Sequence, residues 1–453
     1  MRHTTLEAWL NWQQGLHVAA IELGLERVRE VARRLDLLRP ACPVITVAGT
    51  NGKGSTVALL EAIYGAAGHR VGSYTSPHLL RYNERIRLNG REASDEELMA
   101  AFDAIDRARG DISLTYFEFG TLAALWCFAR AEPDLILLEV GLGGRLDAVN
   151  IVDADVAVIS SIGLDHTDWL GADRESIGRE KAGIARAGRP LICADPEPPA
   201  SLAATARQAG ARLYRIGEDF QVEIAAMSRA DNAAAPCRSG TRPRSLSSHS
   251  PSRWHWRFGT HQHDNLPPPA LPGPWQIHNA AAALCAVQLL AERLPVNRAA
   301  LEQGLRGALL RGRFQRLPGP VEWILDVAHN QDGAGNLAQL LAAQAPADGG
   351  RTLAVCAAMA RKDAQGLIAP LRGRIDAWYL LALPDPEARK PQELATIIEG
   401  LAAGPVAARG AAPDLLAQAQ ADARPGDRIV VFGSFRSVEE ALRWHGDRQR
   451  GVA

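Results

Sequence analysis

From residue 44 to about 195, short β-branched runs alternate with Ala/Leu-rich stretches of helical spacing. "PVITVAG", "RVGSYTS", "DLILLEVG", "ADVAVISSIG" and "RPLICA" predict strands, and segments such as "STVALLEAIYGAAG" and "FGTLAALWCFARA" predict the helices between them. That alternation predicts a mostly parallel sheet wrapped by helices. The rhythm breaks over residues 228 to 274, a stretch rich in Ser, Pro, Arg and His that is too polar at its start to pack a core. It predicts an inserted loop, centred on about 228–252, with "WHWRF" as one strand of a hairpin. "PWQIHNAAAALCAVQLLAERL" then predicts a helix and "LLRGRFQRLPG" a hinge. A second alternating series follows in "VEWILDVAHN", "TLAVCAAMA", "AWYLLALP" and "GDRIVVFGS". The expected architecture is α/β, with one domain over 1–310, a hinge at 311–316 and a smaller Rossmann-like α/β domain over 317–453.

Ligands of such sheets gather at the carboxyl ends of strands, and the first strand ends in "VITVAGTNGKGST". A standard phosphate loop has Gly, four residues, then Gly-Lys-Ser/Thr. Here Gly52 and Lys53 fit, but Val47 stands at the first glycine and Gly54 at the hydroxyl residue. The physical logic survives the irregular spelling. Small residues let backbone N–H groups crowd phosphate oxygens, the helix expected from near Ser55 adds its positive end, and Lys53 supplies a point charge. A dinucleotide loop is disfavoured, since no Gly-x-Gly-x-x-Gly occurs. The first domain is therefore expected to be a P-loop-type ATPase domain.

Magnesium near phosphates needs hard oxygen ligands, and three further strand-end motifs can supply ligands. "YTSPHL" offers Thr75 and Ser76, "LILLEVGLGGRLDA" ends an apolar strand in Glu139, and "SIGLDHTDWLG" offers Asp165, His166, Thr167 and Asp168. Each alone has a plain explanation, as turn former, satisfied core acid or helix cap. Together, at the edge that carries the phosphate loop, packing does not account for them.

Composition narrows the classes. A chain of 453 residues with 47% hydrophobic and 22% charged residues is an ordinary globular protein of two or three domains. A formal net charge of −1 gives no general attraction to nucleic acid or anionic membrane. No apolar run has membrane-spanning length, and the N-terminus shows no signal-peptide apolar segment. Cys42, Cys127, Cys193, Cys237, Cys285 and Cys356 form no Cys-x-x-Cys pair and are expected to be reduced thiols, which favours the cytoplasm. His249, His255, His261 and His263 match no metal spacing. Arg and Trp interleave in the insertion, but without the aromatic repeat of a nucleic-acid surface.

The ordered motifs "GTNGKGS", "SYTSPHLLRYNERIR", "LTYFEFGTLAALW", "LEVGLGGRLDAVNIVDADVAVISSIGLDHTDWLG", "RESIGREKAGI", "GRFQ" and "DVAHN" resemble the bifunctional dihydrofolate synthase/folylpolyglutamate synthase family of the Mur ligase superfamily. The resemblance covers most of the chain. It implies an ATP-dependent amide ligase, in which a carboxylate of dihydropteroate or of a folate glutamate is phosphorylated and the resulting acyl phosphate is attacked by L-glutamate. It further implies that Thr50, Asn51, Gly52, Lys53, Gly54 and Ser55 hold the ATP phosphates, with Asn279, Arg313 and Asp326 as the remaining ATP contacts. Ser76, Glu139 and His166 are implied as magnesium ligands. Lys181, in "REKAGI", is implied as a carbamate supporting a second ion; its plain alternative is a helix lysine paired with an acid. Glu22, Leu23, Gly24 and Leu25, Thr115, Tyr116, Phe117 and Glu118, and Leu146, Asp147 and Ala148 are implied as dihydropteroate contacts. His329 and Ser434 are implied near the incoming glutamate. Lys53, His166, Lys181 and Arg313 are the expected catalytic groups, and the family is usually monomeric.

This chain departs from the family pattern in "HNQ" for the usual His-Asn-Pro, in Arg311 where Pro is frequent, and in the long Arg/Ser/Pro insertion. A folylpolyglutamate synthase without dihydropteroate activity is the narrower alternative. A nucleotide-switched P-loop binding protein is the alternative from another class, and it leaves the second domain unexplained.

Overall fold

The structure is a computed structural model and describes residues 2–224, 253–346 and 349–449. The expected insertion at 228–252 and Cys237 lie outside those residues. Among the described residues the N-terminal lobe is built on β1 (Val44–Ala48), β2 (Val71–Tyr74), β3 (Ile86–Leu88), β4 (Arg91–Glu92), β5 (Leu135–Glu139), β6 (Val156–Ile159), β7 (Pro190–Cys193) and β8 (Arg212–Arg215). They form one sheet in the order β4-β3-β2-β5-β1-β6-β7-β8. All five strands expected from the pattern are present, and β2, β5, β1, β6 and β7 run parallel. The short antiparallel β3–β4 hairpin at one edge was not legible in the pattern.

The central strands are buried along their whole length, β1 and β5 without an exposed residue, because helices cover both faces. One face packs Tyr74, Phe119 and Phe128; the other packs Val57, Leu60 and the alanine-rich helix Trp275–Leu289. The expected hairpin is found as β9 (Phe220–Ile224), β10 (Trp254–Phe258) and β11 (His261–Leu266), a small antiparallel sheet with Trp254 and Trp256 fully buried. His263 stacks on Trp256 and His255 pairs with Asp264 at 2.8 Å, so those histidines have packing roles.

The second lobe adds β12 (Gln315–Leu317), β13 (Glu322–Leu325), β14 (Thr352–Cys356), β15 (Ala377–Ala382), β16 (Val406–Ala411) and β17 (Arg428–Phe432), in the order β12-β13-β17-β14-β15-β16. Gln315 and Arg316, expected within the hinge, instead begin β12, an edge strand antiparallel to β13. No helix of the described residues is long and apolar enough to cross a membrane. Cys42, Cys127, Cys193, Cys285 and Cys356 are free thiols.

Candidate active site in the cleft between the lobes

β1 lies between β5 and β6, so its carboxyl end opens between the ends of both neighbours. The helix after it starts at Lys53, two residues earlier than expected, with Gly52 as its N-cap at φ 89°. A side chain at Gly52 would be strained by that backbone and would also stand 2.7 Å from Asn279 Oδ1, so glycine is required twice over. Thr50 donates from Oγ1 to the Gly163 carbonyl at 3.1 Å, and Ser160 donates to the Asn51 carbonyl at 2.7 Å. The loop is thus braced by the end of β6. Lys53 folds back and donates from Nζ to the carbonyls of Gly49 at 2.9 Å and Thr50 at 3.2 Å. Burial lowers the Lys53 pKa, opposed by the charges of Glu139 and Asp165.

Glu139, the last residue of β5, is 5% exposed. Its Oε2 accepts one hydrogen bond, from the Ser76 N–H at 3.2 Å. Burial raises its pKa, and the nearby Lys53 charge works the other way. Ser76, Glu139, His166, Lys53, Lys181, Arg313, His329 and Ser434 all line one cavity of about 430 Å³. Far-apart sequence motifs therefore converge on a single space. Loss of solvation in the cleft lowers the His166 pKa to about 4, with the Lys362 charge adding to it. Lys181 is 3% exposed, and burial lowers its pKa to about 7, with repulsion from Lys53 next. Among the described residues no acid pairs with it directly, which counts against the plain helix ion-pair explanation.

The donor set suits a hard divalent cation. A buried carboxylate with one hydrogen bond, a hydroxyl and an imidazole face the same space as the phosphate loop. Among the described residues no three His, Cys, Asp or Glu side chains form a closed metal cage. Such an open set fits an ion that completes its shell with phosphate oxygens.

A second cavity, of about 540 Å³, runs from Asn51, Gly52 and Ser55 past Asn279, Arg313 and Asp326. Asn279 donates to Gln276 Oε1 at 2.9 Å, and Gln276 in turn donates to Ser55 Oγ at 3.3 Å. Asp326 uses both oxygens on backbone: Oδ2 accepts from Phe314 N–H and Oδ1 from Ala328 N–H, each at 2.8 Å. It therefore ties Phe314 to the end of β13. Arg313 makes no hydrogen bond to the described residues; its guanidinium lies 5.8 Å from the Phe435 ring centroid and burial lowers its pKa.

A third cavity, of about 250 Å³, is lined by Glu22, Leu23, Gly24, Thr115, Phe117, Glu118, Leu146, Asp147 and Ala148, and shares Ser76, Arg85 and His166 with the first. The outer end of the Phe117 ring lies against Gly141, where a Cβ would stand 2.6 Å from it. Two expected contacts fall outside this lining. Leu25 is the N-cap of the helix Glu26–Arg34 and packs on the core. Tyr116 turns instead to Tyr82 and to Arg85, which sits 5.6 Å from its ring centroid.

Several lining residues have a visible structural duty. Thr115 and Glu118 form a capping box at the start of the helix Tyr116–Ala131. Glu118 also accepts from Arg27 at 3.1 Å, and Glu22 pairs with both Arg27 and His17. Asp147 accepts from the N–H groups of Leu142 at 2.7 Å and Val149 at 3.1 Å, while burial raises its pKa to about 6. Ser434 accepts from Ser437 N–H at 3.0 Å and so caps the helix Phe435–Gln449. Gln331 is the first residue of the helix capped by Asn330, the position where proline is tolerated, so "HNQ" changes only a helix start.

Sequence reasoning missed Arg85, Gln276 and Lys362, which line these cavities. Lys362 follows β14 by a few residues. The charged residues that follow the apolar run "TLAVCAAMA" are the signal for it in the sequence.

The Mur ligase middle domain profile matches residues 47–287, and the Mur ligase, glutamate ligase domain profile matches 312–435. The fold and the cleft are accordingly those of a Mur ligase. The dihydrofolate synthase/folylpolyglutamate synthase of Escherichia coli (strain K12) is 44% identical over 98% of this chain and 97% of its own. That of Haemophilus influenzae is 38% identical over 96% of each. Among solved structures, E. coli FolC in complex with DHPP and ADP superposes with a TM-score of 0.87 at 43% identity, over 98% of this chain and 99% of that one. A bifunctional folylpolyglutamate synthase/dihydrofolate synthase with Mn, AMPPNP and L-glutamate bound gives 0.84 at 44% identity, over 98% of both chains. The chain belongs to the dihydrofolate synthase/folylpolyglutamate synthase family.

Proposed function

We propose that the protein joins L-glutamate to dihydropteroate, giving dihydrofolate, and to the glutamate tails of folates, with ATP hydrolysis driving amide formation. The observation that carries this reading is the sharing of Ser76, Arg85 and His166 by the phosphate-loop cavity and the apolar cavity walled by Phe117. A flat heterocycle in the second would present its carboxylate to the first.

ATP lies with its phosphates over Thr50 to Ser55 and its nucleoside along the cavity of Asn279 and Asp326. Ser76, Glu139 and His166 would hold a divalent cation, magnesium in the cell, which would neutralise clustered phosphate charge. Lys53 exchanges its carbonyl partners for phosphate oxygens, and Arg313, which makes no hydrogen bond to the described residues, stabilises charge on the transferring group. The carboxylate oxygen of the acceptor bonds to the γ-phosphorus, ADP leaves, and an acyl phosphate forms. The amine of glutamate, placed near His329 and Ser434, attacks the acyl carbon, loses a proton and expels inorganic phosphate. Closure of the lobes around the residue 311–316 hinge aligns the three reactants.

The pKa of Lys181 near 7 supports its modification, because only the neutral amine attacks carbon dioxide. The carbamate is an anionic oxygen donor for a second ion, and an adduct of one carbon dioxide in the intact mass of gently handled protein tests it. We take the protein to be a cytoplasmic monomer acting on small molecules, without nucleic-acid or membrane partners.

Phosphate release measured with ATP, glutamate and either acceptor tests the whole reading. Release should require acceptor and glutamate together. Activity with folates but none with dihydropteroate would reduce the protein to a folylpolyglutamate synthase.

A further inference from the structure

Asp165 projects from the N-terminal lobe and is held almost wholly by the other one. Its Oδ1 accepts from Lys362 Nζ at 2.5 Å. Its Oδ2 accepts from Asn330 Nδ2 at 3.1 Å and lies 3.3 Å from His329 Nε2. The carboxylate is only 7% exposed and Lys362 16% exposed, although the residues on either side, Leu164 and His166, are open to the cleft.

The surrounding contacts continue across the same line. Asn51 of the phosphate loop and Asn330 exchange side-chain amide hydrogen bonds, each at 3.2 Å. Gly163 lies so close to Asp332 that a Cβ there would stand 2.0 Å from its carboxylate. The Asp165 cluster therefore bridges the two lobes at the lining of the reaction cavity.

We propose that Asp165 and Lys362 are a positioning pair for the reaction: their ion pair, braced by His329 and Asn330, fixes the lobe spacing at which the two halves of the reaction cavity meet. The proposal rests on the reading of that cavity as the reaction site. An ion pair suits a cleft that opens each turnover. Its attraction is strong and directional where water is excluded, and water compensates both ions as soon as the lobes part. The pair also sets the side of His329 that faces the cavity, since Nε2 is committed to Asp165 and Nδ1 lies 3.0 Å from the Val327 carbonyl.

The test compares Asp165→Asn, Lys362→Met and the double variant in phosphate release, with melting temperature and ADP affinity measured alongside. Each single variant should lower kcat by about 10²-fold, the usual effect of slight misplacement of reacting groups. The KM for ATP and the melting temperature should change little, and the double variant should be no slower than the slower single one. Small-angle scattering with ADP and dihydropteroate should show a more open particle for every variant. Unchanged kcat, losses that multiply, or unchanged scattering would overturn the pair. If Asp165→Asn does not fold, Lys362→Met alone decides by its kcat-against-KM split. A wild type that releases no phosphate with either acceptor would instead remove the functional reading, while the scattering comparison still judges the pair.

Discussion

The Ser76 N–H donates to Glu139 Oε2 at 3.2 Å, joining the turn after β2 to the end of β5. It is the only hydrogen bond the carboxylate accepts from the described residues, and Glu139 lines the cavity. Glu139→Gln keeps the shape and removes the charge. It should raise the divalent cation concentration for half-maximal phosphate release by about 10-fold or more, judged against typical ligand-shell effects. Because burial already disfavours the charged form, the variant should melt no lower than wild type at neutral pH. A magnesium titration and a thermal melt check both.

Arg313→Ala should lower turnover by about 10²- to 10³-fold, the range for loss of one group that stabilises transition-state charge. ATP affinity should hardly move, since Asn51, Gly52, Ser55 and Asn279, which line the same cavity, are untouched. Single-turnover phosphate release and nucleotide titration separate the two. Equal losses in both would argue against a role specific to the reacting state.

Lys181→Met should be more stable than wild type in carbonate-free buffer. Burial lowers the Lys181 pKa to about 7 from 10.5, so below 7 the folded protein holds a fully buried charge. As pH rises from 7 towards 10.5 the unfolded chain binds a proton that the folded one does not, and wild-type stability recovers. The difference in melting temperature should therefore be largest near neutral or lower pH and close as pH approaches 10.5. The same variant should lose phosphate release at every pH.

Phe117→Ala should raise the KM for dihydropteroate by about 10-fold, or ~1.4 kcal/mol of lost aromatic contact, and leave the KM for ATP alone. Tyr116→Ala should leave both nearly unchanged, because its ring packs on Tyr82 outside the cavity. Steady-state kinetics with each substrate varied in turn distinguishes the two neighbours.

Much of the first sheet was legible because uninterrupted apolar runs such as "LILLE" mark strands buried on both faces. The loop glycines and Glu139 were legible because an acid at the end of such a run needs a purpose. What escaped notice depended on contacts between distant segments. Nothing in the sequence distinguishes Tyr116 from Phe117, since their difference is one step of helix rotation at the end of a capping box. The part played by Asp326 was also hidden, because its partners are backbone groups of Phe314 and Ala328. Lys362 lies 197 residues from Asp165, and only the folded chain brings them together.

Lys53 turns its ammonium back onto the Gly49 and Thr50 carbonyls, so the side chain that carries the charge of the loop also ties together the backbone on which it stands. Replacing it with a short uncharged residue would therefore take away a brace as well as a charge, and would loosen the turn from Gly49 to Gly52 that it spans.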